Sequence, residues 1–187
     1  KLLVVIFAAF VAHALEIAAE RNLNERCIIL GTSGPPIGNY LYNNNLRIIQ
    51  SPDHVVIESE MIHDARIIPL NTKHRPKELA PWMGDSIGWW DGDTLVVETI
   101  NMNPEGGSQV RLTPGGKITE RFTRYSDTQV LYEFEVEDAS LYSQTWKGEM
   151  SLNASQPMYE YACHEGNYAM EGILAGARAQ ERAGGTV

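Results

Sequence analysis

Apolar and polar residues alternate along much of the chain, and glycine, proline and aspartate interrupt the alternation at short intervals. Successive side chains of a strand point to opposite faces, so a period of two with one polar face predicts antiparallel strands over a single core. The clearest case is Gln129 to Glu137: Val130, Tyr132, Phe134 and Val136 share one face, and Leu131, Glu133, Glu135 and Glu137 share the other. Lys117 to Arg124 alternates in the same way. Leu46 to Gln50, His54 to Met61 and Ala65 to Leu70 carry the β-branched enrichment of half-buried strands, with Ser51-Pro52-Asp53 as a turn and Pro69 as a stop. Ser86 to Trp90 and Asp93 to Ile100 flank Asp91-Gly92, which supplies the positive φ angles of a tight hairpin. Thr113-Pro114-Gly115-Gly116 marks another turn, and a last strand is expected around Gln144 to Met150. Short strands, tight turns and no crossover helices predict a mainly β fold: an antiparallel meander from about Leu46 to Met150, curled into a barrel or half-barrel.

Three stretches break this period. Lys1 to Leu15 is the one long apolar run. A secretory signal peptide has a basic start, an apolar centre and a small-x-small cleavage site, which Ala12-His13-Ala14 supplies. A transmembrane anchor needs roughly 20 apolar residues, which Leu2 to Ala19 approaches if His13 and Glu16 are tolerated. Residues 1–19 are taken as a single transmembrane helix, with the signal peptide as the alternative. Lys1 before the run and Glu16 and Glu20 after it place the amino end in the cytoplasm, so the remaining chain is exported. The expected location is the inner membrane, single-pass, with the main domain in the periplasm. Residues 20–45 form a linker ending in Gly31 to Asn39, a cluster of turn formers that excludes helix and central strand. It lacks the phosphate-binding glycine patterns, so no nucleotide is assigned. Residues 46–187 form the exported β-domain, closed by an alanine-rich helix from Tyr168 to Arg182 that packs on the sheet. Gly172 and Gly176, one turn apart, allow another element to approach that helix closely.

The 187 residues suffice for one domain. A net charge of −9, with no basic run anywhere, excludes a nucleic-acid partner, because phosphate binding needs clustered Lys and Arg. Apolar content of 43% is that of a folded protein.

Three constellations bear on chemistry. Cys27 and Cys163 are the only cysteines, and an even count in an exported chain predicts a disulfide between them; separate buried thiols are the alternative. His63-Asp64-x-Arg66 and His164-Glu165 offer a metal site or an acid-base pair if the fold brings the segments together. No ligand pair recurs at helical spacing, so no metal is assigned, and on a strand His63 and Asp64 face opposite ways. The plainer arrangement is an Asp64–Arg66 pair on one strand face, with His164 hydrogen-bonded near the cysteine, and under it no residue is catalytic. Trp82, Trp89, Trp90 and Trp146, with Tyr132, Tyr159 and Tyr161, would line a ligand-holding barrel or fill core and interface.

Glu25-Arg26-Cys27, Gly31 to Pro36, Glu60 to Leu70, Gly84-Asp85-Ser86, Gly92 to Val97, Glu120 to Arg124 and Tyr159 to Arg182 resemble a large family of exported, functionally uncharacterised bacterial proteins. The resemblance covers nearly the whole exported part and implies export and a β-rich fold, with no established activity. At the front the chain departs from that family, the span running almost directly into Glu25-Arg26-Cys27. Phe7 to Leu15 is similar to the spans of bacterial light-harvesting peptides, whose Ala-x-x-x-His lets a bacteriochlorophyll approach and be ligated through its magnesium. The plainer reading of His13 is a hydrated histidine at the interfacial end of the span, and the alternative that the similarity implies is a bacteriochlorophyll ligand. An anchored β-domain also resembles accessory subunits of bacterial reaction-centre and light-harvesting complexes. The expected function is therefore a non-enzymatic, membrane-anchored periplasmic accessory or scaffolding subunit, with other transmembrane subunits as partners. The alternative is a periplasmic small-molecule binder or enzyme using His63, Asp64, Arg66, His164 and Glu165.

Overall fold

The computed structural model describes residues 21–30, 34–39, 42–106, 109–163 and 168–184. Among them, eight strands and one α-helix follow in chain order: β1 Leu46–Gln50, β2 His54–Ser59, β3 Ala65–Pro69, β4 Asp85–Asp91, β5 Thr94–Ile100, β6 Lys117–Arg124, β7 Gln129–Glu137, β8 Trp146–Asn153 and α1 Ala169–Arg182. Every strand read from the alternation is present. The Asp91-Gly92 turn joins β4 to β5 with Asp91 paired to Thr94, and Gly92 sits at a φ of +61°.

The meander does not form one closed barrel. It divides into an antiparallel three-stranded sheet, β1-β2-β3, and an antiparallel five-stranded sheet, β4-β5-β6-β7-β8, both open. The division falls where β3 and β4 meet only through a parallel bridge between Leu70 and Gly88. Parallel neighbours cannot be joined by a tight hairpin, and the connection over residues 70–84 contains Pro76 and Pro81. Proline has no N–H to extend a ladder, so pairing lapses there. The close approach at the bridge needs Gly88: a Cβ on it would lie 3.1 Å from the side chains of Ile68 and Leu70.

The two sheets share one core. Val55, Ile57 and Ile68 from the first meet Leu95, Val97, Phe122 and Tyr132 from the second. Tyr132 and Phe134 stack in tilted fashion at 5.7 Å, and Phe134 meets Trp146 edge to face at 5.6 Å. A smaller cluster, Met102, Leu112, Ile118 and Val136, continues this core beneath Trp146. Loops ordinarily lie on the surface, yet Gly34, Pro35, Pro36 and Ile37 are all buried and Ile37 belongs to the main core.

Residues Ile29–Tyr161 form one compact unit; the chain before Ile29 and after Tyr161 belongs to a second. The second unit contains α1 and the Cys27–Cys163 disulfide, whose Cα atoms are 5.9 Å apart across 136 residues of sequence. The predicted bridge is therefore present. Among the described residues, a Cβ on Gly172 or Gly176 would meet nothing within 4 Å. Both lie on the exposed side of α1. Among the described residues no helix is long and apolar enough to cross a membrane; the expected span, with His13, lies outside them.

Candidate functional site

Arg66 is the candidate site residue that the fold buries most completely. On β3 it shares the inward face with Ile68, and its side chain is 2% exposed. Its guanidinium reaches across to the other sheet: Nη1 donates to Glu120 Oε1 at 3.1 Å, and Nη2 donates to Oε2 of the same carboxylate. The expected Asp64–Arg66 pair is thus replaced by an Arg66–Glu120 pair. Asp64, half-buried, precedes β3 at the end of the Met61–His63 turn. Glu120 Oε1 also accepts the Tyr132 hydroxyl proton at 2.7 Å, and the Tyr132 oxygen accepts the Ile37 N–H at 2.8 Å. Beside the pair, Ser86 and Thr99 hydroxyls bond to each other at 2.8 Å.

Burial by itself would lower the Arg66 pKa, but the charge and hydrogen bonds of Glu120 outweigh it and hold the guanidinium above its ordinary value. Tyr132 is pushed far up, first by burial, then by the Glu120 charge and its hydrogen bond. Arg66 and Tyr132 therefore both keep their protons at neutral pH. Glu120 and Tyr132 are 0% exposed. The arrangement ties sheet to sheet and draws the buried loop at Ile37 onto both. Among the described residues no acceptor reaches Arg66 Nε.

The other predicted residues scatter. His63 is exposed, in a single 3-10 turn Met61–His63 with a left-handed φ of +47°. His164 and Glu165 lie outside the described residues, and no group of three or more His, Cys, Asp or Glu able to hold a metal occurs among those described. Of the aromatic set, Tyr132 is core, Trp146 packs on Phe134 and Tyr142, and Trp82, Trp90 and Tyr159 are exposed.

A second polar cluster lies at the start of β4. Asp85 Oδ2 accepts the Arg75 backbone N–H at 2.8 Å and contacts His74 Nδ1 at 2.8 Å; Asp85 Oδ1 accepts Arg75 Nε at 2.6 Å. Glu98 contacts the opposite ring nitrogen of His74 at 3.2 Å. Burial would raise the Asp85 pKa, but the hydrogen bonds and charge around it hold it below its ordinary 3.8. This cluster fastens the proline-containing connection to the sheet. Glu60, also buried, accepts from the Asn45 side chain and, at 3.4 Å, from the Tyr159 N–H.

The outer face of the first sheet carries an apolar row. Ile49, Val56 and Ile67 stand directly opposite one another across β1, β2 and β3, and Ile49 and Ile67 are 46% and 65% exposed. Arg47 and Glu58 form an ion pair at 3.3 Å in the neighbouring row. Sequence reasoning passed over this row because β-branched residues in strands read first as core. No protein-family model matches the chain, and neither a curated protein nor a solved structure does.

Proposed function

We propose that the chain is an exported, non-enzymatic β-domain that serves as an accessory or scaffolding subunit of a membrane assembly, anchored by residues 1–19 with its main domain in the periplasm. In a phototroph the assembly is a reaction-centre–light-harvesting complex, with His13 facing a partner side chain or water and a bacteriochlorophyll as the alternative. The resemblance to exported bacterial proteins supports the location, and the Cys27–Cys163 disulfide suits an oxidising compartment. The observation that carries the docking role is the Ile49–Val56–Ile67 row: apolar residues in register on the outer face of the sheet, with Ile49 and Ile67 exposed and Val56 half-buried between them. The buried polar groups support a structural domain over an enzyme, since Arg66, Glu120 and Tyr132 are consumed by one another.

The test is native purification from membranes, followed by identification of companions and absorption spectroscopy. The protein should travel with transmembrane subunits, and Ile67→Asp should release them while leaving the melting temperature of the β-unit unchanged. Recovery of the wild type as a lone, colourless species, or an Ile67→Asp protein that still travels with the same companions, refutes the reading.

A further inference from the structure

Where the meander fails to close, the free edges of the two sheets border a cleft of about 560 Å³. Leu46, Arg47 and Ile48 of β1 line one side, and Ser151, Leu152 and Asn153 of β8 line the other. Its floor is aliphatic: Leu46, Val130 and Leu152 are partly buried and pack on the main core. Its rim is amide. Asn39, Asn44, Asn45, Gln129, Asn153 and Gln156 all line it, six amides in one cleft of a chain that has 17 in 187 residues.

Three charged side chains line it, Arg47, Arg124 and Asp127, and each has an ion-pair partner. Arg124 Nη2 pairs with Asp127 at 3.1 Å, and Arg47 pairs with Glu58 at 3.3 Å. An ionic ligand would have to compete with those pairs, and a wholly apolar one would leave Asn39 and Gln156 without a partner. A side-chain amide both donates and accepts, as does a hydroxyl, so this rim suits a ligand bearing many neutral hydroxyls. Part of the rim is already ordered. Gln129 donates to Asn153 Oδ1 at 2.8 Å, Ser151 donates to the same oxygen at 3.3 Å, and the Tyr125 hydroxyl meets Ser151 Oγ at 3.0 Å. That contact sets the Tyr125 ring, 54% exposed, at the margin of the cleft beside Ser151. Asn39, Ser155 and Gln156 make no side-chain hydrogen bond among the described residues, which leaves their polar atoms open to a ligand.

We infer that the open seam between β1 and β8 binds a neutral oligosaccharide. The C–H faces of its rings lie on the aliphatic floor and the Tyr125 ring, and its hydroxyls bond to the amide rim. Ligand sites at the mouths of curled sheets have this composition, an apolar floor with a few placed polar groups. The inference is independent of the docking role, which uses the outer face of the first sheet.

The test is titration of the full chain with chitotetraose and with cellotetraose, followed by amide and side-chain NMR shifts and by calorimetry. Saturable binding of at least one sugar is expected, with the largest shifts at the Gln129, Asn153 and Gln156 side-chain amides. Tyr125→Ala and Asn153→Ala, both at exposed positions, should each weaken it about tenfold, with unchanged melting temperatures. Absence of saturation by either sugar up to about 10 mM, a range that would still detect a millimolar Kd, overturns the inference. So does binding that both variants leave intact.

Discussion

Replacing Glu120 with glutamine keeps the shape of the buried cross-tie and removes its negative charge. The amide oxygen still accepts from Tyr132, but the Arg66 guanidinium, with a side chain 2% exposed, is left without a counter-charge. Breaking a buried ion pair from one side costs about 3–5 kcal/mol, a large part of the roughly 5–15 kcal/mol that holds a domain folded. At about 3–4 °C per kcal/mol for a unit of this size, the melting temperature should fall by about 10–20 °C. The paired change Arg66→Met with Glu120→Leu removes both charges and both desolvation penalties, and it should recover most of the loss. Urea and thermal unfolding followed by circular dichroism, with the disulfide intact, measure all three proteins. A Glu120→Gln loss below about 1 kcal/mol would show that the two groups are not energetically coupled. A double variant no more stable than the single one would refute the pairing argument in the same way.

Tyr132→Phe should cost about 1–3 kcal/mol near neutral pH, because the Ile37 N–H and Glu120 each lose a partner. The wild type should also lose stability as pH rises above about 10: the folded phenol keeps its proton while the unfolded one releases it, so the unfolded state is favoured. That alkaline loss should shrink in Tyr132→Phe, and urea midpoints at neutral and alkaline pH with equal losses in both proteins would contradict it. Gly148→Ala would place a Cβ 2.4 Å from the Phe134 ring. That ring is hemmed between Tyr132 and Trp146, so a loss of about 1–3 kcal/mol is expected in chemical unfolding, and a neutral result would mean the ring moves freely. Reduction should add two hydrogens to the intact mass and lower the urea midpoint, since closing a loop of 136 residues contributes up to about 5 kcal/mol in the chain-entropy account. Ready labelling of both thiols before reduction would reject the bridge.

The strands were legible because their alternation is local: each face of β7 can be read from nine adjacent residues. The disulfide was legible from counting. The cross-tie was not, because Arg66 and Glu120 stand 54 residues apart and nothing local joins them. A signal did exist: Glu120 falls in phase with the buried Ile118 and Phe122, and Arg66 in phase with the buried Ile68. Two opposite charges on inward faces require each other, since neither tolerates burial alone. The open seam was hidden for another reason. Local pairing rules describe neighbours along a meander, and closure depends on the relative direction of β3 and β4, which the proline-containing connection sets.

The Cys27–Cys163 bond also gives the molecule a mechanical property. Residues 28–162, and so every strand, lie within the covalent loop it closes. Tension applied between the chain ahead of Cys27 and the chain beyond Cys163 runs through the sulfurs and bypasses the sheets. The β-unit can therefore be carried on a strained tether without being pulled open, and only a reductant would transfer the load to its hydrogen bonds.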